Sequence, residues 1–206
     1  MFQIASIVEG HGETEAVPGL LRRMVPVVAP GLPFEIRKPI RVRRNRLLKA
    51  GELENAVELA ARQVSQSDWI LILVDADEDC PAVLAPILLS RARAQRSNRR
   101  ISVVVAKAEF EAWFLAAAES LSGQRRLAAD IAAPPEPESI ADPKRWLTHH
   151  GPAGWSYSET LDQPALASIV DLDMARRAPS FDKLWRELSA AVDFHRRATA
   201  GSLADG

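Results

Sequence analysis

Sulfur chemistry has almost no foothold in this sequence. Cys80 is the single cysteine in 206 residues, which excludes an intramolecular disulfide and a cysteine-rich zinc site. Tyrosine is equally scarce. Tyr157 is the only one, and it lies in the C-terminal helical part, so a covalent phenolate mechanism is not expected. No apolar run approaches the roughly 20 residues that span a bilayer. The opening MFQIASIVEGHGE has no basic segment ahead of Glu9 and does not read as a signal peptide. The expectation is a cytoplasmic protein without membrane contact. A charge excess is also missing: 26 Lys and Arg face 27 Asp and Glu, a net charge of −1. That balance argues against a polycation that coats nucleic acid or anionic lipid. There is no GxxxxGK[ST] phosphate loop, so the chain offers no ATP site of that kind. The turn Glu9-Gly10-His11-Gly12 lacks the dinucleotide glycine fingerprint and puts a carboxylate where pyrophosphate would lie.

What is present is an uneven layout of charge. Residues 35–49 carry seven positive charges and one negative, residues 50–80 one positive and eight negative, and residues 81–107 six positive and none negative. Such alternation can build a polarised site within a neutral chain.

Hydrophobic periodicity organises the chain into alternating strands and helices. Phe2–Val8 reads as a strand and Glu13–Val27 as a helix. Phe34–Val42 is a second strand, with Pro39 favouring an edge or an irregular stretch. Glu52–Val64 is an amphipathic helix. Trp69–Val74 (WILILV) is apolar throughout, as a strand buried on both faces must be. A helix follows from Pro81 to about Gln95, then a strand over Ile101–Val105 and a helix over Phe110–Leu121. The alternation predicts an α/β domain over residues 1–122, with a Rossmann-like, mainly parallel sheet flanked by helices. Residues 123–142 read as a linker or loop. Residues 143–197 read as a helical C-terminal extension, with helices over Pro143–His149, Gln163–Arg176 and Ser180–Arg197. Residues 198–206 read as a flexible tail.

Ligands of open α/β sheets sit beyond the carboxyl ends of the strands. Three predicted strands end there in acid: Glu9 after the first, Asp75 and Asp77 after the third, Glu109 and Glu111 after the fourth. Clustered carboxylates raise one another's pKa unless a cation relieves them. Hard oxygen ligands favour Mg²⁺ or Mn²⁺. In an extended backbone Asp75 and Asp77 would project to the same side. Against this, acids after strands are often helix N-caps, and Asp79, before Cys80-Pro81, reads as one. Glu13 and Glu15 could simply favour a helix N-terminus.

The basic run Arg37, Lys38, Arg41, Arg43, Arg44, Arg46 and Lys49 suits phosphate contact. It lacks the interleaved aromatics that stack bases, and it could instead protect an edge strand by charge. Lys107 could stabilise a phosphate or pair with a carboxylate. Ser158-Glu159-Thr160-Leu161-Asp162-Gln163 holds a capping-box-like Thr160-x-x-Gln163, or its polar groups close over the acidic site.

The strings Ile7-Val8-Glu9-Gly10 and Leu73-Val74-Asp75-Ala76-Asp77 resemble the two signatures of TOPRIM domains. Glu9-Gly10-x-x-Glu13 is most similar to the OLD-type nucleases. A closer resemblance, over almost the whole chain, is to the TOPRIM-like domain-of-unknown-function 4276 family. It rests on Val8-Glu9-Gly10-His11-Gly12-Glu13, Glu109-Phe110-Glu111-Ala112-Trp113-Phe114-Leu115, Tyr157-Ser158-Glu159-Thr160-Leu161-Asp162-Gln163 and Ser180-Phe181. The resemblance implies a Mg²⁺- or Mn²⁺-dependent nuclease or related phosphotransfer enzyme. Glu9, Glu13, Asp75, Asp77 and Glu109 would be its metal ligands. Glu9, Asp75, Asp77 and Lys107 would be its catalytic groups, and nucleic acid its substrate, held by Arg37, Lys38, Arg41, Arg43, Arg44 and Arg46. It also implies a separate ATPase partner, often in defence against foreign DNA. The rival expectation is a non-catalytic metal-binding module that docks nucleic acid or a partner protein.

Overall fold

A computed structural model describes residues 1–204. Strand β1 (Phe2–Val8) leads into helix α1 (Glu13–Val28), then β2 (Phe34–Ile36), β3 (Ile40–Arg41), α2 (Arg44–Leu47), α3 (Glu52–Gln63), β4 (Trp69–Asp75), α4 (Pro81–Gln95) and β5 (Arg100–Ala106). Short helices α5 (Ala112–Ala116), α6 (Ala118–Leu121), α7 (Pro143–His149), α8 (Asp162–Ala167) and α9 (Leu172–Ala175) precede the long α10 (Pro179–Ala204). The strands form one parallel sheet in the order β2-β1-β4-β5, with β3 also paired to β1. The α/β architecture with a parallel sheet between helices is therefore the one the alternation predicts.

Alternation along β4 divides the core. Trp69, Leu71 and Leu73 face α1, α5, α8 and α10, whereas Ile70, Ile72 and Val74 face α3 and α4. Both layers exclude water, as the uniformly apolar WILILV string requires. Residues 123–142 hold a 3-10 turn over Pro137–Ser139 and bury Leu127 and Ile131 in the first of these layers. Trp113 Nε1 donates to Ser180 Oγ at 2.7 Å, and the Glu138 carboxylate accepts from Ser180 N at 2.8 Å, fixing the start of α10.

Several elements differ from the sequence expectation for local reasons. The second strand splits into β2 and β3, because Pro39 has no N–H to donate and interrupts the ladder. The helix expected over Phe110–Leu121 breaks at Ala117, whose φ of −117° and ψ of 27° leave the helical region. The one expected over Gln163–Arg176 breaks after Ala167. There the Arg23 guanidinium donates to the carbonyls of Ala167 and Val170 at 2.8 and 2.6 Å, and the Asp171 side chain starts α9 by accepting from Met174 N. Residues 198–204, expected as part of a tail, continue α10; their alanines and leucine favour helix. The last two residues of that expected tail, 205–206, lie outside the described residues.

The chain leaves β1 for β2 and β3 on one side and returns to pair β4 on the other. The carboxyl ends of β1 and β4 therefore flank the topological switch point, the usual ligand position of an open parallel sheet.

Candidate functional site

Glu9 follows the last residue of β1, and the next four residues turn into α1. Glu13 reaches back across that turn. Its Oε2 accepts from Glu9 N at 2.8 Å and from Gly10 N at 3.2 Å, so one buried carboxylate fixes the direction of the other. Gly12 permits a close approach: a Cβ there would meet Glu159 O at 2.2 Å and Gln163 Oε1 at 2.3 Å.

Asp75 ends β4, and its Oδ1 accepts from Phe110 N at 2.8 Å, tying β4 to the loop after β5. The backbone does not stay extended beyond it. Asp77 adopts a left-handed φ of 47°, which aspartate tolerates better than most residues, and its N–H donates to Ala108 O at 3.0 Å. The same-side projection expected of an extended Asp75-x-Asp77 is thus replaced by a turn. Arg44 holds this turn. Its guanidinium donates to the carbonyls of Asp75 and Ala76, sits 3.1 Å from Asp77 Oδ2 and pairs with Asp79. Asp79 is therefore not a helix cap. Cys80 occupies the cap position of α4, and the Asp79 carboxylate is taken by Arg44.

The opposite wall comes from the C-terminal helices. Lys144, in the first turn of α7, places Nζ 2.9 Å from Glu109 Oε1 and also pairs with Glu159. Glu111 is fully buried; its Oε1 accepts from Tyr157 Oη at 2.9 Å and from Gln163 Nε2 at 3.0 Å. Thr160 forms no capping box. The Asp162 carboxylate accepts from Ser158 N instead, while Glu159 and Gln163 close over the acids. The result is a cavity of about 120 Å³ lined by Glu9, Glu13, Asp75, Asp77, Lys144 and Glu159, with Gly10 and Gln163.

The electrostatics follow from crowding in a confined space. Burial pushes Glu13 up to about 7, with Glu9 and Glu111 adding to the rise against two backbone donors. Burial likewise pushes Glu111 up to about 7, aided by Glu109. Burial, then Glu13, Glu111 and Glu9, raise Asp75 well above the usual carboxylate range. Glu9 is raised by burial, partly offset by Arg44. Burial disfavours the Lys144 ammonium, but Glu111, Glu159 and Glu109 outweigh it and hold the lysine charged. Burial pushes the Tyr157 phenol up, and Glu111 pushes it further, so Tyr157 is a donor to Glu111 and not a nucleophile.

The donor set suits a hard divalent cation: it is all oxygen and mostly carboxylate. Glu9 Oε2, Glu109 Oε2, Glu111 Oε2 and Gln163 Oε1 are buried acceptors that receive no hydrogen bond. Among the described residues, however, no three His, Cys, Asp or Glu side chains already stand together as a ligand cluster. Arg44 holds Asp77 and Lys144 holds Glu109, so a cation would have to draw carboxylates from these partners. Asp77 is the easiest to draw, being half exposed at 52%.

The sequence-predicted residues separate. Glu9, Glu13, Asp75 and Asp77 line the cavity; Glu109 stands behind it on Lys144; Lys107 is exposed and does not line it. Of the basic run, Arg43 and Arg44 share an open groove of about 500 Å³ with Glu9 and Asp77. Arg37, Lys38 and Arg41 line another, of about 620 Å³, against α1. Arg46 pairs with Glu52 at 2.8 Å, away from the acids. Lys144 is the cavity-lining group that the sequence did not single out, and Glu111, named only as an acid after the fourth strand, is buried against Tyr157 and Gln163. Glu111 sat beside Glu109 after a predicted strand, which was a usable signal. Lys144 offered none beyond its place after Pro143 at a helix start.

No curated protein and no solved structure matches this chain. No helix among the described residues is long and apolar enough to cross a membrane. Residues 8–189, which include every cavity-lining group, match the family model described as Domain of unknown function (DUF4276), and the chain belongs to that family.

Proposed function

We propose that this protein hydrolyses phosphodiester bonds of nucleic acid with a Mg²⁺ or Mn²⁺ ion, on a domain related to TOPRIM. One observation carries the reading. Glu9, Glu13, Asp75 and Asp77 meet in one cavity at the switch point, and two of them, Glu9 and Asp77, also border a groove with Arg43 and Arg44. Acid for a cation and base for a phosphate thus adjoin. Glu9, Asp75 and Asp77 would hold the ion, with Glu13 fixing Glu9 from behind. A bound divalent ion supplies Lewis-acid stabilisation of phosphoryl charge and lowers the pKa of water. Arg43 would bind the phosphate flanking the scissile bond. With a single ion held by Asp75 and Asp77 alone, Glu9, whose proton affinity is raised by burial, would instead be placed to accept a proton from attacking water or return one to the leaving oxygen. Lys144 keeps the far carboxylates neutralised. A separate ATPase partner belongs to the same proposal, on the resemblance to TOPRIM-like nucleases that work beside one.

The rival is a metal-binding module without turnover. The pairing of Arg44 with Asp77 and Asp79 and of Lys144 with Glu109 and Glu159 counts against turnover, because it leaves fewer carboxylates for a second, catalytic ion beside one that only braces the fold. Incubation with single-stranded DNA, duplex DNA and RNA, with Mg²⁺ or Mn²⁺, decides between the two. Cleavage is expected from the wild-type chain, falling by at least about 10²-fold in Glu9→Gln and Asp75→Asn. Metal binding without cleavage of any substrate, with a candidate ATPase partner present as well as without it, would establish the module and overturn the hydrolase.

A further inference from the structure

Helix α4 is apolar on the side that faces water as well as on the side that faces the sheet. Leu84, Leu88 and Ala92 are buried. The outward face carries Ala82, Val83, Pro86, Ile87, Ser90 and Ala94, with Val83 60% and Ile87 52% exposed. A helix that is apolar all round normally has a partner on both sides. Beside this face lies a trough of about 390 Å³ between α4 and β5, with Ala85, Leu89, Val103 and Val105 in its lining. Strand β5 is the end strand of the sheet, so the trough runs along the rim of the molecule.

Charge at the two ends of the face identifies the occupant. Glu78 is exposed just ahead of the helix, and Arg93 is exposed in its last turn. Read from one end the stripe is acidic, apolar, basic; read from the other it is the reverse. Its complement is therefore its own copy run antiparallel. We propose that the chain forms a two-fold dimer through antiparallel packing of α4 on α4, with Pro86 close to the axis. In that register Val83 of one copy meets the Ile87–Leu89 turn of the other, and Ala82 meets Ser90. The small side chains allow close approach of the two helices. Glu78 of each copy faces the Arg93 end of the other, giving two symmetric ion pairs, as an isologous interface demands. A parallel pairing would stack Glu78 on Glu78 and Arg93 on Arg93.

Sedimentation velocity over a concentration series tests this. The wild-type chain is expected to sediment at twice the chain mass. Ile87→Glu should sediment as a monomer with unchanged far-UV circular dichroism; Val83→Asp replaces it if Ile87→Glu does not fold. Glu78→Arg and Arg93→Glu should each raise the dissociation constant, by about tenfold or more. The double variant E78R/R93E, which exchanges the two ends, should restore the wild-type value. A wild-type monomer at every concentration, or a dimer that Ile87→Glu leaves intact, would overturn the interface. Charge variants without effect would overturn the antiparallel register.

Discussion

Glu13 does two things that oppose each other. It accepts two backbone N–H groups that shape the turn carrying Glu9, and it brings a carboxylate into a space shared with Asp75 and Glu111. The cost appears as a pKa raised to about 7. A folded chain that holds this proton more tightly than the unfolded chain, whose glutamate titrates near 4.5, is stabilised fully below that lower value. The contribution then disappears as pH rises through about 7. The melting temperature of the metal-free wild-type chain should therefore fall between pH 5 and pH 8 (an interval set by those two pKa values). Glu13→Gln, which retains an acceptor for the turn but no charge, should fall less. Parallel curves for the two proteins would remove Glu13 from this account. Residue by residue, the acids after β1 and β4 were legible, because a carboxylate at the end of an apolar strand is a local signal. Lys144 was not. It reaches Glu109 across 34 intervening positions, and only the packing of α7 shows which lysine faces the acids. Lys107 is adjacent in sequence, yet its side chain leaves the strand end toward water.

Among the elements, the loop between β4 and α4 depends on one side chain. Arg44 extends from α2 and occupies two carbonyls and two carboxylates of residues 75–79. The sequence placed Arg44 in a basic run suited to phosphate, and the structure makes it the clamp on the acidic turn. Arg44→Ala should accelerate amide hydrogen exchange in residues 76–80 while leaving the buried amides of β4 protected. Arg44→Lys should not restore protection, since one ammonium lacks the planar fork that spans these acceptors. Unchanged exchange in Arg44→Ala would show that the turn is held by its backbone bonds to Ala106 and Ala108 alone. The strands themselves were readable from apolar runs, and Pro39 marked an irregular stretch in the second, though not its division into β2 and β3. The breaks within the C-terminal helices were not readable, because Arg23, far away on α1, takes the carbonyls where α8 ends.

At the scale of the whole molecule, a net charge of −1 conceals a local separation of charge. Parallel strands bring Glu9 and Asp75 to one edge, the C-terminal helices seal them from one side, and Arg43 and Arg44 border the other. The sequence alone located the acids and the basic run; their adjacency follows from β3 pairing with β1. Attraction for a phosphate at this edge should then depend on a cation that offsets the carboxylates. Calorimetric titration of the metal-free protein with Mn²⁺ tests this most directly. Saturable binding is the result expected for the wild-type chain, weakened by at least about tenfold in both Glu9→Gln and Asp75→Asn. No binding, or binding that neither substitution weakens, would contradict the claim that this cavity is a metal site.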